Sequence, residues 1–592
     1  MIHATTHLRR SSRSTGILPV TDSTATLAPP VRGMGVSPIS GPLAASGYSR
    51  NRMGETPMRR TVLSPNQRPR PNTGKMPVLR NALALLGIAL CTPTFAQFGT
   101  QPASPFYNIN DYGTFEGGQA KCTAAIAKAI DAASARGGGT VFIPAGTYLT
   151  GPIHLKSNIT LHLDAGAVLK FSTDFADYMP MTTSRYEGTM VQSFCPLITA
   201  DHAENIAITG RGALDGQGQA WWAAVKGGSK PDGPWLEAFA KANEGNPAPI
   251  LKRGFLRPPF FQPHECTRVL VDGVKFTNSP FWTVTPLMCD NVTIRAVTIS
   301  NPGGEKSQGA GSPNTDGINP DSCTNVHISD CHISVGDDCV TIKSGRDEEG
   351  RAVGRPCENI TIDNCTMLAG HGGVTIGSEM SGGVRNVTIS NCVFDGTDRG
   401  IRIKSSRGRG GVIENVRVSN IVMRNIKNEA IHITTMYDRS DPEPVSDRTP
   451  IFRDLHFSGI TGTAKSAAEI LGLAEMPIQN VTFSDMQLTG KTGFKIKYAQ
   501  GIEIRDTKVT AESGPALIAD TTTNLTISNL STTAGAKDIP LISLTNSKNV
   551  LIHHCVTLPT MNLFIQADET SAAETTLDAN RTVGIENPLV KG

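Results

Sequence analysis

From Asn158 onward one short phrase keeps returning, often at intervals of about 23 to 34 residues, the range of stacked solenoid coils joined by loops of variable length. It reads NITLHL at Asn158, NVTIRAV at Asn291, NVHISDC at Asn325, NITIDNC at Asn359, NVTISNC at Asn386 and NVRVSNI at Asn415. It continues as NVTFSDM at Asn480, NLTISNL at Asn524 and NVLIHHC at Asn549. Each phrase alternates apolar and polar residues like a half-buried strand and is too short for a helix. A chain built this way has little choice but to stack its repeats, because one coil alone cannot bury its apolar face.

Six positions after each Asn from Asn291 onward stands Val297, Cys331, Cys365, Cys392, Ile421, Met486, Leu530 or Cys555, all apolar or thiol. Stacked coils place equivalent positions about 4.8 Å apart, so this column is an internal ladder. The architecture predicted is all-β, a right-handed parallel β-helix. Ala120 to Arg136 has helical periodicity and a Gly stop at Gly137 to Gly139, and is expected to cap its N-terminal end. The ladder also predicts that most of the 12 cysteines are unpaired core residues. The Asn-x-Ser/Thr matches at Asn291 and Asn386 read as turn-forming corners rather than glycan acceptors.

Charge is nearly balanced, 55 Lys+Arg against 52 Asp+Glu, with the basic excess gathered in the first eighty residues. The remainder is mildly acidic, which argues against a nucleic-acid partner. Residues 1–75 are rich in Arg, Ser, Thr and Pro and repeat themselves, TGILPV at Thr15 and TGKMPV at Thr73. They read as a disordered leader or as an extension upstream of a true start at Met76. Residues 76–96 carry Arg80, the apolar run Ala82 to Cys91 and small residues ending at Ala96, the pattern of a secretory signal peptide cleaved after Ala96. The run is too short to span a membrane. The expectation is a secreted or periplasmic protein, monomeric and not membrane-bound, with a catalytic β-helix over 97–566 and a tail over 567–592.

A second strand lies in each coil: FWTVTP, TDGINP, DCVTIKS, GVTIGS, GIRIKS, AIHITT. Taking Val340/Ile342, Val374/Ile376, Ile401/Ile403 and Ile431/Ile433 as inward pairs fixes the register. Asp316 and Asp338 then fall two positions before the first inward residue, Asp337 and His371 three before it, and Arg402 and Lys404 point outward on the next coil. Three carboxylates, a histidine and two cations thus meet on one outer face. A solvated polar face with coil-to-coil ion pairs explains any one of them alone; it does not explain adjacent Asp337 and Asp338 at the start of a buried strand. Paired carboxyls are what glycosidic cleavage needs, one giving a proton to the leaving oxygen and another activating water. A neighbouring negative charge favours the protonated form that a general acid requires. Arg402 and Lys404 suit an anionic substrate.

SPNTDGINPDS, SVGDDCVTIKSG, GHGGVTIGSE and RGIRIKS, in that order on a solenoid, resemble the four signature segments of the polygalacturonase family of glycoside hydrolases. The match runs from about Tyr107 to about Tyr437. The resemblance implies hydrolysis of α-1,4-linked galacturonate in pectin with inversion and without a metal or other cofactor. It assigns Asp337 as general acid, Asp316 and Asp338 as the groups that activate water, and His371 as the residue tuning or positioning the acid. Arg402 and Lys404 would bind the galacturonate carboxylate, with Asn314 and Gly336 shaping the turns at the site. The GHG segment at His371 favours a homogalacturonan-type substrate.

Two insertions depart from the compact pattern, Arg346 to Pro356 and Trp221 to Pro259, and a loop from Met436 to Pro450 is expected beside the cleft. Long loops on such a fold are commonly functional, and with GSEMSGGVRNV they are similar to exo-acting bacterial members. Exo-action is therefore expected over endo-action. Two other readings remain open on the sequence: a pectate lyase using calcium on the same fold, and a non-catalytic glycan-binding β-helix.

Overall fold

The computed structural model describes residues 106–592, apart from 115–116, 227–230, 303–310 and 439–440. The leader and signal-peptide segments lie outside the described residues. The repeat phrases stack in parallel: Val292 pairs with Val326, Val326 with Ile360, Ile360 with Val387, Val387 with Val416 and Leu525 with Val550. The second strands stack in the same way, Ile318 on Val340, Val340 on Val374, Val374 on Ile401 and Ile401 on Ile431. The register read from the sequence is the one adopted, and the fold is a parallel β-helix.

The repeated Asn has a conformational and a side-chain reason. Asn325, Asn359, Asn386 and Asn415 all take positive φ, between 52° and 58°, a region Asn tolerates better than most residues. Their amides hydrogen bond up the stack, Asn359 Nδ2 to Asn325 Oδ1 at 3.2 Å, Asn386 to Asn359 at 3.1 Å and Asn415 to Asn386 at 2.8 Å. Where the phrase is disguised, the corner still holds: Asp454 stands at the Asn position with φ 56° and accepts from Asn480 at 3.1 Å, and Gly501 takes the equivalent place with φ 67°.

The cysteine column is buried, with Cys331, Cys365, Cys392 and Cys555 each no more than 1% exposed. A second column, Cys266, Cys289, Cys323 and Cys357, was not evident in the repeat phrase because it precedes it. There the Cys289 N–H donates to Cys323 Sγ and the Cys323 N–H to Cys357 Sγ, both at 3.4 Å. The eleven cysteines among the described residues are all buried, and the ten other than Cys122 are free. Parallel stacking keeps equivalent side chains about 4.8 Å apart, beyond the ~3.5–4.5 Å between Cβ atoms that a disulfide needs.

At the N-terminal side, helix Thr123–Ser134 turns Ile126, Ala129, Ile130 and Ala133 inward against strands Phe106–Asn108 and Gly139–Ile143. At the other end the structure corrects the expected tail. Thr575–Asp578 pairs with Lys548–His553, and Leu589–Lys591 with Ile565–Ala567, around a short helix at Glu569–Ala573. Residues 567–592 thus add further strands; they lack the Asn phrase, which hid them.

A hairpin, Thr182–Tyr186 and Thr189–Ser193, is the one antiparallel pairing among the named strands, turning at Glu187 and Gly188 with φ 45° and 82°. The inserted segments pack against it. Trp221 to Pro259 forms helices Gln219–Lys226 and Trp235–Ala242 and a 3-10 turn at Pro249–Arg253, while Arg346 to Pro356 carries helix Asp347–Val353. Tyr186, Phe239, Leu256, Phe281 and Trp282 form a satellite core, with the Tyr186 and Phe281 rings stacked at 4.3 Å.

Candidate active site

The outer face of the second strands opens into a cleft of about 580 Å³ whose lining includes Asp316, Asp337, Asp338, His371, Arg402 and Lys404. The coil stacking that aligned them in sequence brings all six, and Asn314, to one place. Their exposures differ in a way that matters. The Asp337 side chain is 17% exposed, against 4% for Asp316 and 2% for Asp338. Asp337 is the carboxyl that a ligand in the cleft reaches first.

Asp337 sits in a ring of donors. Its Oδ1 lies 3.0 Å from His371 Nδ1 and accepts from the Asp338 N–H at 3.0 Å, and its Oδ2 is 3.4 Å from Asn314 Nδ2. The hydrogen bond to Asp337 raises His371 to about 9, against the opposing effect of burial. Asn314, at φ 52°, is held in turn by Arg257, which donates to its Oδ1 at 2.9 Å and to the Pro280 and Pro313 carbonyls.

Asp338 lies deeper. Burial alone would favour its protonated form, but Lys404 at 3.1 Å, Arg402 at 3.4 Å and the nearby Lys343 hold the carboxyl below the usual range. Gly372, the residue after His371, leaves it room: a Cβ there would come within 2.9 Å of Asp338 Oδ1. Asp316 accepts from Asn319 at 3.0 Å and from Thr341 at 3.3 Å through Oδ2. Burial, reinforced by the charge of Asp337, pushes Asp316 well above the ordinary carboxylate value. One of the two inner carboxyls is thus biased to the charged form and the other to the protonated form.

Arg402 and Lys404, expected to await a substrate carboxylate, are instead first engaged with Asp338, with the Tyr437 ring 5.4 Å and 5.0 Å away. Arg402 Nε is buried without a hydrogen-bond partner, so one donor remains uncommitted.

Sequence reasoning missed Lys343 and Glu379. Lys343 Nζ lies 2.9 Å from Glu379, 3.9 Å from Asp316 and 4.4 Å from the centre of the Trp282 ring. Lys343 follows Ile342 as Lys404 follows Ile403 on the stacked strands, so the register already contained this signal. The hairpin was also missed: its two-residue turn is Glu-Gly, not the Asn-Gly or Asp-Gly that marks such turns in sequence. It lies over the same face: Ser184 donates to Gln262 at 2.7 Å, and Arg185 meets Asp321 at 2.8 Å with both side chains 1% exposed. Its tip reaches Arg346, whose N–H donates to the Gly188 carbonyl at 3.0 Å.

Comparison with known proteins identifies the family. The profile of Glycosyl hydrolases family 28 matches residues 134–511. A probable polygalacturonase from Vitis vinifera is 31% identical over 398 residues, 64% of this chain and 74% of that protein. An endo-polygalacturonase from Pectobacterium parmentieri is 31% identical over 431 residues, 71% of this chain and 96% of its own length. Among solved structures, a hyperthermoactive exopolygalacturonase from Thermotoga maritima superposes with a TM-score of 0.59 at 34% identity, covering 72% of this chain and 91% of that one. A parallel β-helix with this face, matched by this profile over most of its coils, belongs to the polygalacturonase family of glycoside hydrolases, family 28.

Proposed function

We propose that the chain is an exported exo-acting enzyme that hydrolyses α-1,4-linked galacturonate with inversion at the anomeric carbon. The observation that carries the reading is the graded exposure of three clustered carboxyls, one open and hydrogen bonded to a histidine, two buried and biased in opposite directions.

In this mechanism Asp337 protonates the glycosidic oxygen as the C–O bond breaks. That proton reaches Asp337 from His371: the imidazolium, which persists to about pH 9, passes its Nδ1 proton across the 3.0 Å contact to the Asp337 carboxylate, which hands it on to the leaving oxygen. Water attacks the anomeric carbon from the opposite face and loses its proton to the inner carboxyls. Asp338, kept ionised by Lys404 and Arg402, is the first acceptor, and Asp316 orients the water. Atoms balance as one water in and two saccharides out. Arg402 and Lys404 also face the substrate carboxylate, and Asn314 positions Asp337.

Exo-action is supported by the hairpin. Gln262 and Asp321 occupy outward positions on coils that precede Val340–Ile342, yet they are only 2% and 1% exposed because Ser184 and Arg185 lie over them. A polymer running along this face toward the N-terminal coils meets the hairpin and the segments packed on it, leaving room for a chain end.

Product analysis on polygalacturonate tests the reading. Monomer from the first time points, with inverted anomeric configuration by NMR, is expected; mixed oligomers mean endo-action. A calcium-dependent lyase would instead give ultraviolet-absorbing products and lose activity with chelator. Export is tested by locating the enzyme in cell fractions and sequencing the mature N-terminus, expected to follow Ala96.

A further inference from the structure

Outside the cleft, two neighbouring coils turn at corners that carry His202 at φ 48° and Glu265 at φ 49°. This column of corners is separate from the Asn column and continues as Met288 and Ser322 on the next coils. The residues immediately before His202 and Glu265, Asp201 and His264, are register partners on adjacent parallel strands. The outcome is Asp-His on one coil directly beneath His-Glu on the next.

The four side chains converge. Asp201 bridges both imidazoles, with Oδ1 at 2.7 Å from His264 Nδ1 and Oδ2 at 3.0 Å from His202 Nδ1. His202 Nε2 lies 2.6 Å from Glu265 Oε2. The two rings stand nearly perpendicular, 84° apart with centres 5.7 Å apart. One donor atom each from Asp201, His202 and His264 falls within 4.8 Å of the others. A tetrahedral zinc with bonds of about 2.0–2.2 Å spaces its donors by roughly 3.4 Å. The His202 and Asp201 side chains are 64% and 68% exposed and His264 is 19% exposed, so closing to that spacing calls for movement of the two exposed members.

We propose that Asp201, His202 and His264, with Glu265 as fourth ligand or as acceptor for a bound water, form a binding site for a divalent transition ion of the zinc class that links two adjacent coils. Two imidazoles with carboxylates select zinc, cobalt or nickel over calcium and magnesium, which prefer oxygen donors throughout. The described coils contain no disulfide, so cross-linking of this kind is supplied nowhere else among them. The site is separate from the cleft, whose lining includes none of these four residues. Its role is structural: it ties together the two coils on whose strands the hairpin rests, since Gln262, two residues before His264, is the hairpin's hydrogen-bond partner. Binding displaces protons from the histidines and adds ligand affinity to the folded state.

The test uses the whole mature enzyme, stripped with chelator and dialysed, and zinc alone as the probe. Isothermal titration is expected to show one equivalent bound at micromolar or lower concentration, and the unfolding midpoint is expected to rise with zinc. Cobalt in place of zinc is expected to give the visible absorption of a tetrahedral complex. His202→Ala, at an exposed position, and His264→Ala are each expected to remove the saturable binding and the midpoint shift, while circular dichroism of the zinc-free proteins stays unchanged. No saturable binding in the parent protein overturns the proposal, as does binding retained in the His202→Ala/His264→Ala double variant. Hydrolysis by the stripped enzyme is a separate readout, expected to persist, so failure here leaves the catalytic reading untouched.

Discussion

Lys343 is shared between two carboxylates of unequal claim: its ammonium is 2.9 Å from Glu379 and 3.9 Å from Asp316, all three buried. Glu379 is thereby held down at about 2 in spite of burial, by Lys343 and then Arg409. Asp316, served second, stays well above its ordinary value. Glu379 thus sets how much positive charge reaches Asp316. In the proposed mechanism the water-activating pair is fully charged only above the pH at which Asp316 ionises, which places Asp316 on the acidic limb of the rate profile. Glu379→Gln releases Lys343 to Asp316 and is expected to move that limb to lower pH. Lys343→Met removes the cation and is expected to move it to higher pH. Profiles of kcat/KM against pH check this; shifts in the same direction in both variants sink the idea, since loss of packing has no reason to produce opposite signs.

His371 gives a prediction at the other limb. Its value of about 9 means the imidazolium persists through neutral pH and is lost above it. Proton delivery by Asp337 is expected to weaken as that charge disappears. His371→Asn keeps the cleft shape but not the charge, and is expected to lower kcat by about 100-fold, the low end of the range for one proton-transfer group, and to bring the basic limb down. Stopped assays between pH 5 and pH 10 on polygalacturonate measure it. The sign for stability is the same: the pairing supports the folded state fully below pH 6.5, and that support fades as pH rises through about 9.

Removal of the Asp337 carboxyl charge and proton, as Asp337→Asn, is expected to cut turnover by about 10²–10⁴-fold, the share acid catalysis supplies, while leaving binding of oligogalacturonate within a few-fold because the amide still hydrogen bonds. Kinetics beside equilibrium titration separate the two. Unchanged turnover would falsify the assignment of the acid.

Much of this site was legible because a β-helix converts sequence interval into spatial neighbourhood. Once Val340, Val374, Ile401 and Ile431 were aligned as inward residues, Asp337, His371 and Arg402 had to meet, and they do. Lys343 stands in that same register, one residue after inward Ile342, but reads in sequence as part of the strand. What stayed hidden was whatever does not repeat. Arg257 lies in an insertion without periodicity, yet it fixes Asn314. The hairpin over residues 182–193 lies across the face instead of within a coil, and its anchors Gln262 and Asp321 belong to coils distant in sequence. The last coils escaped because Thr575 and Leu589 pair without the Asn corner that marked the others.

The hairpin itself can be loosened. Arg185→Ala leaves Asp321 buried with no guanidinium partner, and breaking a buried pair on one side costs about 3–5 kcal/mol. Chemical denaturation is expected to show that loss, either globally or as an early transition confined to the hairpin and the insertions packed on it. Product analysis on the same variant is expected to show dimers and longer oligomers, since the wall across the face no longer closes it. A destabilised variant that still releases only monomer argues that other segments end the cleft.

The Asn ladder makes a prediction about the scaffold alone. Asn386 sits at φ 57°, donates to Asn359 at 3.1 Å and accepts from Asn415 at 2.8 Å. Asn386→Ala loses both hydrogen bonds and also places a Cβ in the left-handed region without the local polar compensation, about 1–2 kcal/mol for the conformation and roughly 1 kcal/mol for the amide contacts at this exposed corner. Asn386→Gly loses the same bonds without the strain. The row already contains a glycine at Gly501, φ 67°, where the coil continues unbroken. The expected order in denaturant midpoint is therefore wild type above glycine above alanine, with activity unchanged in all three because the corner lies outside the residues lining the cleft. Alanine as stable as glycine would mean that the side-chain ladder, rather than backbone conformation, is what selects Asn at each corner.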